Sequence, residues 1–298
     1  LPTIASPEEA LATPEPRLHA YGDAGNVHKL VAFDFGDVPA ALASAEHVFE
    51  DLLFYQGNTH LPLEEHAALA WVDTDGRVTI LSSTQVAHYV HRAASKALGL
   101  PPARVRVVAP PQGGGFGGKT DPFNHEIVAA RAAMLTGRPV KVALSREEVF
   151  LCHRGRHPTL MRLRTGVGKD GRIVGHSVET LLDGGAYGSY GVASVHYTGA
   201  LETLTYEMPR YRFRGCRTFT NKPPCGPKRG HGTPQPRFAL EVHVDKICER
   251  LGRDPAEWRI ANAVAADTTT ANWLQVRATG PGPCIEAVVR ATGGEDRA

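Results

Sequence analysis

Long apolar runs are missing from this 298-residue chain, and no stretch approaches the roughly 20 apolar positions a helix needs to cross a bilayer. Residues 1–20 also lack a basic region followed by an apolar one, so no export signal is visible. Charge of one sign is scarce. The 33 Lys plus Arg nearly balance 31 Asp plus Glu, and a net charge of +2 gives no broad basic field for nucleic acid or an anionic membrane. Neither is expected as a partner. Cysteine is sparse and poorly spaced: Cys152, Cys216, Cys225, Cys248 and Cys284 contain no CxxC pair and suggest no disulfide framework. A reducing, cytoplasmic setting is the expectation. An initiator methionine is absent as well, since the chain opens Leu1-Pro2-Thr3, and a portion of a longer product is expected. What is present, 42% hydrophobic and 21% charged residues, suffices for a buried core, and the length suggests about two domains.

Residues 1–30, with Pro2, Pro7, Pro14 and Pro16, read as an extended lead-in with few core contacts. Beyond them the pattern is regular. Helices are expected at 39–45, 86–98, 124–135, 238–251, 255–264 and 284–292, and strands at 47–55, 78–82, 105–109, 140–144, 160–167 and 172–182. Thr84 and Asp254 are placed to cap helices, and Gly99 and Gly137 to end them. The mixture predicts an α+β fold whose strands need not be parallel, and no repeat is evident.

The densest signal is Pro111-Gln112-Gly113-Gly114-Gly115-Phe116-Gly117-Gly118-Lys119-Thr120. So many glycines cost backbone entropy, so either a close neighbour or positive φ must require them. The segment formally satisfies the P-loop spacing GxxxxGK(S/T) and, through Gly113, Gly115 and Gly118, the dinucleotide spacing GxGxxG. Context opposes both. Pro122 would break the helix a P-loop must run into, and residues 139–142 offer no acidic partner for a ribose. A P-loop nucleotide-binding module and a glycine turn without ligand remain the alternatives.

A third reading comes from resemblance. Ser82-Ser83-Thr84-Gln85, a helix, Leu98-Gly99-Leu100-Pro101, a Val-rich strand and then the glycine loop resemble the first molybdopterin-binding region of the xanthine dehydrogenase and aldehyde oxidase family. That resemblance implies that Gln85 donates to an oxo ligand of molybdenum, and that the backbone of Gly113, Gly114, Gly115, Phe116 and Gly117 cradles the cofactor. It also implies mixed sheets with packed helices. By the same resemblance, residues 1–36 are a linker, 37–265 the first cofactor-binding region in two α/β subdomains, and 266–298 the start of an incomplete segment.

A second cluster runs from Asn221 to Gln235, and its Arg229-Gly230-His231-Gly232-Thr233-Pro234-Gln235 resembles the family's RGxGxPQ string, before a helix bearing Glu241. The resemblance puts Arg229 beside the molybdenum and Thr120, Tyr197 and His231 toward substrate. Purine-oxidising members carry an acid and an arginine where Thr120 and Tyr197 stand, which argues against xanthine. Gly230 takes the place of the copper-binding cysteine of carbon monoxide dehydrogenases. The combination looks most similar to the 4-hydroxybenzoyl-CoA reductase branch, which removes a phenolic hydroxyl by reduction, with Tyr197 and His231 as candidate proton donors. Another aromatic, N-heterocyclic or aldehyde substrate is the alternative.

Glu64, Glu65 and His66 are assigned a structural role; Cys152, His153 and His157 make a poor zinc site; and Asp183-Gly184-Gly185-Ala186-Tyr187 resembles a cavity-shaping family string. The resemblance further implies a molybdenum-molybdopterin cofactor, in its cytosine dinucleotide form. FAD-binding and 2Fe-2S subunits would join a dimer of heterotrimers. A C-terminal half supplying the active-site glutamate is expected elsewhere, so the isolated chain should be inert, with no direct protein ligand to the metal.

Overall fold

The computed structural model describes residues 3–152 and 154–293. Leu1, Pro2, His153 and the polar tail 294–298 lie outside the described residues. Two sheets organise the chain. The larger has the order β1 (Val27–Phe35), β9 (Tyr211–Thr218), β8 (Ile173–Asp183), β7 (Thr159–Val167) and β2 (His47–Tyr55). The smaller has the order β5 (Val105–Val108), β4 (Val78–Ser82), β3 (Ala67–Val72) and β6 (Val140–Ala143). Around them stand α1 (Pro7–Ala12), α2 (Val38–Ala43), α3 (Ala87–Leu98), α4 (Asn124–Thr136), α5 (Arg146–Cys152), α6 (Gly191–Ala200), α7 (Pro234–Leu251), α8 (Pro255–Asn262) and α9 (Pro281–Thr292), with a short hairpin of β10 (Thr268–Thr269) and β11 (Gln275–Val276). This is the expected α+β mixture.

Each sheet has its own core. In the large one Met161, Leu163, Val178, Tyr211 and Phe213 pack against Leu240, Val244 and Ile247 of α7. In the small one α3 and α4 sit close to the strands because Ala68, Ala70, Ala94, Ala129, Ala130 and Ala133 are short. The large core also encloses a polar chain: Asp51 Oδ2 meets His243 Nδ1 at 2.6 Å, and His243 Nε2 and His176 Nδ1 both reach Thr165 Oγ1, at 2.9 and 2.8 Å.

Most described strands pair antiparallel, but β4 with β5 and β8 with β9 run parallel, bridged by the crossover helices α3 and α6. Ligands of open α/β sheets sit outside the carboxyl ends of such strands. Here those ends release 83–86, 109–120, 184–190 and 219–233, which include nearly every candidate residue.

The lead-in is a correction. Instead of an extended linker through residue 36, the chain forms α1, buries Ile4 and Ala10, and adds β1 to the large sheet in antiparallel register with β9. Its inward side chains Val31, Phe33 and Phe35 are only partly buried at an edge, while Leu30 on the other face stays exposed, so the alternation is diluted. The other boundaries hold within a turn or so; α7 begins at Pro234 because proline is tolerated in a first helical turn.

Candidate functional site

The glycine loop is shaped by what surrounds it. Gly113 N–H donates to Glu64 Oε2 at 2.8 Å, and Gln85 Oε1 accepts from Gly117 N–H at 3.1 Å and Lys119 N–H at 3.2 Å. Gly118 N–H closes a tight turn onto the Gly115 carbonyl at 2.8 Å. A Cβ on Gly115 would stand 2.5 Å from Gln85 Oε1, and one on Gly117, at φ +92°, would stand 2.9 Å from the Pro227 carbonyl oxygen. Close neighbours and positive φ therefore both explain the glycines.

Lys119 decides against a nucleotide loop. Its side chain is 1% exposed, and Nζ donates to Glu64 Oε2 at 2.9 Å and Ser83 Oγ at 2.6 Å, so it cannot reach a bound phosphate. The next helix begins only at Asn124. Burial would raise the Glu64 carboxyl, but hydrogen bonds from Lys119 and Gly113 outweigh it and hold the group below its ordinary range. Glu65 pairs with Arg146 at 3.2 Å, and burial pushes His66 down to about 4 beside the Gly118 carbonyl. Glu64 and His66 thus brace the loop directly.

The second cluster folds onto the first. Arg229 N–H donates to the Phe116 carbonyl at 2.9 Å, and its guanidinium lies 5.2 Å from the centre of the Phe116 ring. Buried Arg156 locks this junction, donating to the carbonyls of Arg229 and Gly230 and to Gln235 Oε1. Gly232, at φ +78°, lets the chain pass over α6, where a Cβ would lie 2.5 Å from the Ser194 carbonyl oxygen.

There His231 meets α6. Its Nε2 lies 2.6 Å from Ser194 Oγ, and its ring is 5.9 Å from Tyr197 and 6.4 Å from Tyr190. Tyr190 in turn stacks at 6.4 Å on Tyr89, one turn along α3 from Gln85. A row of four rings thus crosses from one crossover helix to the other. Burial and the nearby Arg156 charge lower the His231 pKa, and burial raises Tyr190 to about 12. Tyr197 is 39% exposed, and no described group bonds its hydroxyl. Thr120 Oγ1 donates to the Gly117 carbonyl at 2.6 Å, so its proton serves the loop. Glu241 is held by Tyr206 and Arg259 rather than by residues of this junction.

Arg217 has no precedent in the sequence reading. Fully buried, it donates to the Gly184, Tyr187 and Cys225 carbonyls and contacts His157 Nε2 and His28 Nδ1, with no hydrogen-bonded carboxylate among the described residues. Desolvation lowers it to about 10 and keeps both imidazoles neutral-leaning, His28 near 4. It ties together the loops after β8 and β9. Gly184, Gly185 and Gly191 are required there, since a Cβ would strike Thr218, Pro223 or Arg217 itself. Ser189, Asp121 and Arg154 add a link to the loop after Thr120. Arginines 156 and 217 were not legible as site residues, because their partners are backbone carbonyls distant in sequence. Burial raises the Cys225 thiol to about 12, which removes it as a nucleophile, and no cluster of metal-ligating side chains occurs among the described residues.

The molybdopterin cofactor-binding domain family matches residues 19–263. The chain belongs to that family. The xanthine dehydrogenase molybdenum-binding subunit of Escherichia coli O157:H7 is 35% identical over 287 residues, 96% of this chain and 38% of that protein. The nicotinate dehydrogenase large molybdopterin subunit of Eubacterium barkeri is 36% identical over 279 residues, 91% of this chain and 64% of that protein. The aldehyde oxidoreductase of Desulfovibrio gigas superposes with a TM-score of 0.91 at 29% identity, over 98% of this chain and 32% of that one. The chain spans less than two thirds of the length of each.

As a molybdopterin-binding domain, the loop fits its ligand. No described acceptor takes the N–H groups of Gly114, Gly115 or Phe116, whereas those of Gly113 and Gly117 turn inward to Glu64 and Gln85. With Oε1 of Gln85 fixed by two N–H donors, its amide NH2 is the end left free. Three consecutive main-chain donors and a neutral amide suit the oxo, sulfur and phosphate acceptors of molybdopterin.

Proposed function

We propose that this chain is the first cofactor-binding region of a molybdenum oxidoreductase large subunit acting on a planar aromatic substrate. The observation that carries the reading is the row Tyr89, Tyr190, His231 and Tyr197, which lies beside the Phe116–Arg229 junction. The main-chain N–H groups of 114–116 and the Gln85 amide hold the cofactor, and Arg229 covers it next to Phe116. Bound molybdenum supplies two-electron redox chemistry. A cytosine dinucleotide form of the cofactor, FAD and 2Fe-2S subunits in a dimer of heterotrimers, a complementary half with the active-site glutamate, and a cytoplasmic location complete the proposal.

The leading substrate is 4-hydroxybenzoyl-CoA. Two electrons and two protons convert it to benzoyl-CoA and water, the phenolic C–O bond breaking as a ring C–H forms. Tyr197 and His231 are neutral groups suited to proton handling beside an electron-rich ring. Likeness to the nicotinate dehydrogenase subunit favours a second reading, hydroxylation of an N-heteroaromatic ring. The assembled enzyme, after elemental analysis for molybdenum, is offered 4-hydroxybenzoyl-CoA with a low-potential donor, or nicotinate or xanthine with an electron acceptor. Benzoyl-CoA is the expected product, and Tyr197→Phe and His231→Phe should each slow its formation. Hydroxylated nicotinate or urate alone would replace the substrate, and an assembly without molybdenum would defeat the function.

A further inference from the structure

The His231 ring is anchored on one side only. Its Nε2 lies 2.6 Å from Ser194 Oγ, and the imidazole is also within reach of the Tyr190 carbonyl, an oxygen that can only accept a hydrogen bond. Ser194 Oγ, on a residue with no exposed surface, lies 3.3 Å from the same Tyr190 carbonyl and can donate its own proton there. The arrangement satisfies every atom if Nε2 carries the hydrogen: imidazole donates to serine, and serine donates to the carbonyl. In a neutral imidazole the other nitrogen is then a bare lone pair. No described group bonds Nδ1, and the ring stands 6.4 Å from Tyr190 and 5.9 Å from Tyr197.

We propose that Ser194 and the Tyr190 carbonyl fix His231 as the Nε2–H tautomer, so that Nδ1 acts as a hydrogen-bond acceptor selecting aromatic substrates that carry a ring O–H or N–H. This rests on the placement of His231 at the substrate argued above and deepens it: in the resting site His231 receives a proton before it can return one. Ser194 is a positioning residue, acting through His231. The charged groups facing the imidazole are Arg156, which disfavours its protonation, and Asp121, which favours it. Burial adds to the former, and the net direction keeps the ring neutral.

The test uses the assembled, molybdenum-containing enzyme and two near-isosteric probes, phenol and toluene, whose dissociation constants are measured by competition. An acceptor at Nδ1 favours phenol by about tenfold, the worth of one ordinary hydrogen bond. His231→Phe should abolish that preference. Ser194→Ala should at least halve it, because the ring is freed to turn and to place its hydrogen on either nitrogen. His231→Asn, which keeps an amide oxygen near the Nδ1 position, should restore part of it. Equal affinities in the native enzyme would overturn the tautomer, while the substrate-facing role of His231 would survive if His231→Phe still shifted both affinities. A phenol preference untouched by His231→Phe would overturn both. A preference lost in His231→Phe but complete in Ser194→Ala would overturn the anchoring by Ser194.

Discussion

The two halves of the site are made of different material. At the end of the small sheet, the loop 113–119 works through its main chain: its side chains are mostly hydrogen atoms, and Glu64, Lys119 and Gln85 are the scaffold that bends it. At the end of the large sheet, Ser194, Tyr197 and His231 work through side chains, two of them with polar atoms still open. Backbone donors serve a ligand that is common to a family, because they demand glycine and tolerate little change. Side-chain donors serve a ligand that varies, since each is replaceable without rebuilding the loop. The end proposed to hold the cofactor should therefore be brittle and the end proposed to meet substrate tolerant.

The hardest blow to the brittle end is Gly117→Ala. Positive φ and a carbonyl oxygen 2.9 Å from the new Cβ leave no relaxed position, because the obstruction is backbone of the second cluster. Molybdenum content of the purified assembly, read by elemental analysis, should fall at least about tenfold, the factor expected from roughly 1.4 kcal/mol or more of strain. Normal loading would show that the loop is not the cradle. Next is Glu64→Leu, which leaves the Lys119 ammonium buried with Ser83 alone. Stability in denaturant should drop by about 3 kcal/mol, the lower end for breaking a buried pair because Glu64 is partly solvated. Glu64→Leu with Lys119→Met should recover part of that loss; if the double variant is no better, the charge argument fails.

Acid should weaken the framework of both halves. Burial lowers His28, His60, His66 and His125 to about 4 and His176 to about 3. In the unfolded chain the same rings take up protons near pH 6.5, so between that value and about 4 the unfolded state binds more. Their contribution is complete above pH 6.5 and is lost as pH falls toward 4, with a slope of up to about 1.4 kcal/mol per unit for each ring. Urea midpoints measured from pH 7.5 to 4.5 should fall steadily. A flat profile would mean that these imidazoles are protonated inside the fold.

Local grammar made much of the scaffold legible. Alternation marked β2, β7 and β8, and Gly99, Gly137 and Asp254 delivered the helix ends expected of them. Of the elements that escaped, three did so for plain physical reasons. β1 is an edge strand with a half-wet inner face. β9 interleaves Tyr211 and Phe213 with arginines that look solvated, yet Arg217 points inward. α6 contains Gly191 and Gly199, poor helix formers, because Arg217 and Phe213 occupy the space a Cβ would need. The same distinction holds in the site. The glycine loop stood out by composition and Gln85 by the family resemblance, whereas Arg156 and Arg217 act on carbonyls that only the fold brings near, and Ser194 has meaning only once His231 lies across it.

The smallest structural effect should come from the tolerant end, and it sharpens the comparison most. Tyr197→Phe removes a hydroxyl that no described group bonds from a side chain already 39% exposed, and it leaves the ring that packs on His231. Stability should change by less than about 0.5 kcal/mol, as for surface substitutions generally, and molybdenum loading should be native. The affinity for a phenolic ligand should nevertheless shift if the exposed hydroxyl meets substrate as proposed. A variant that unfolds early or loads poorly would show that the two ends share their stability after all. If folding, loading and ligand affinity all stay native, Tyr197 stands outside the site, and the substrate end shrinks to His231 and the residues that hold it.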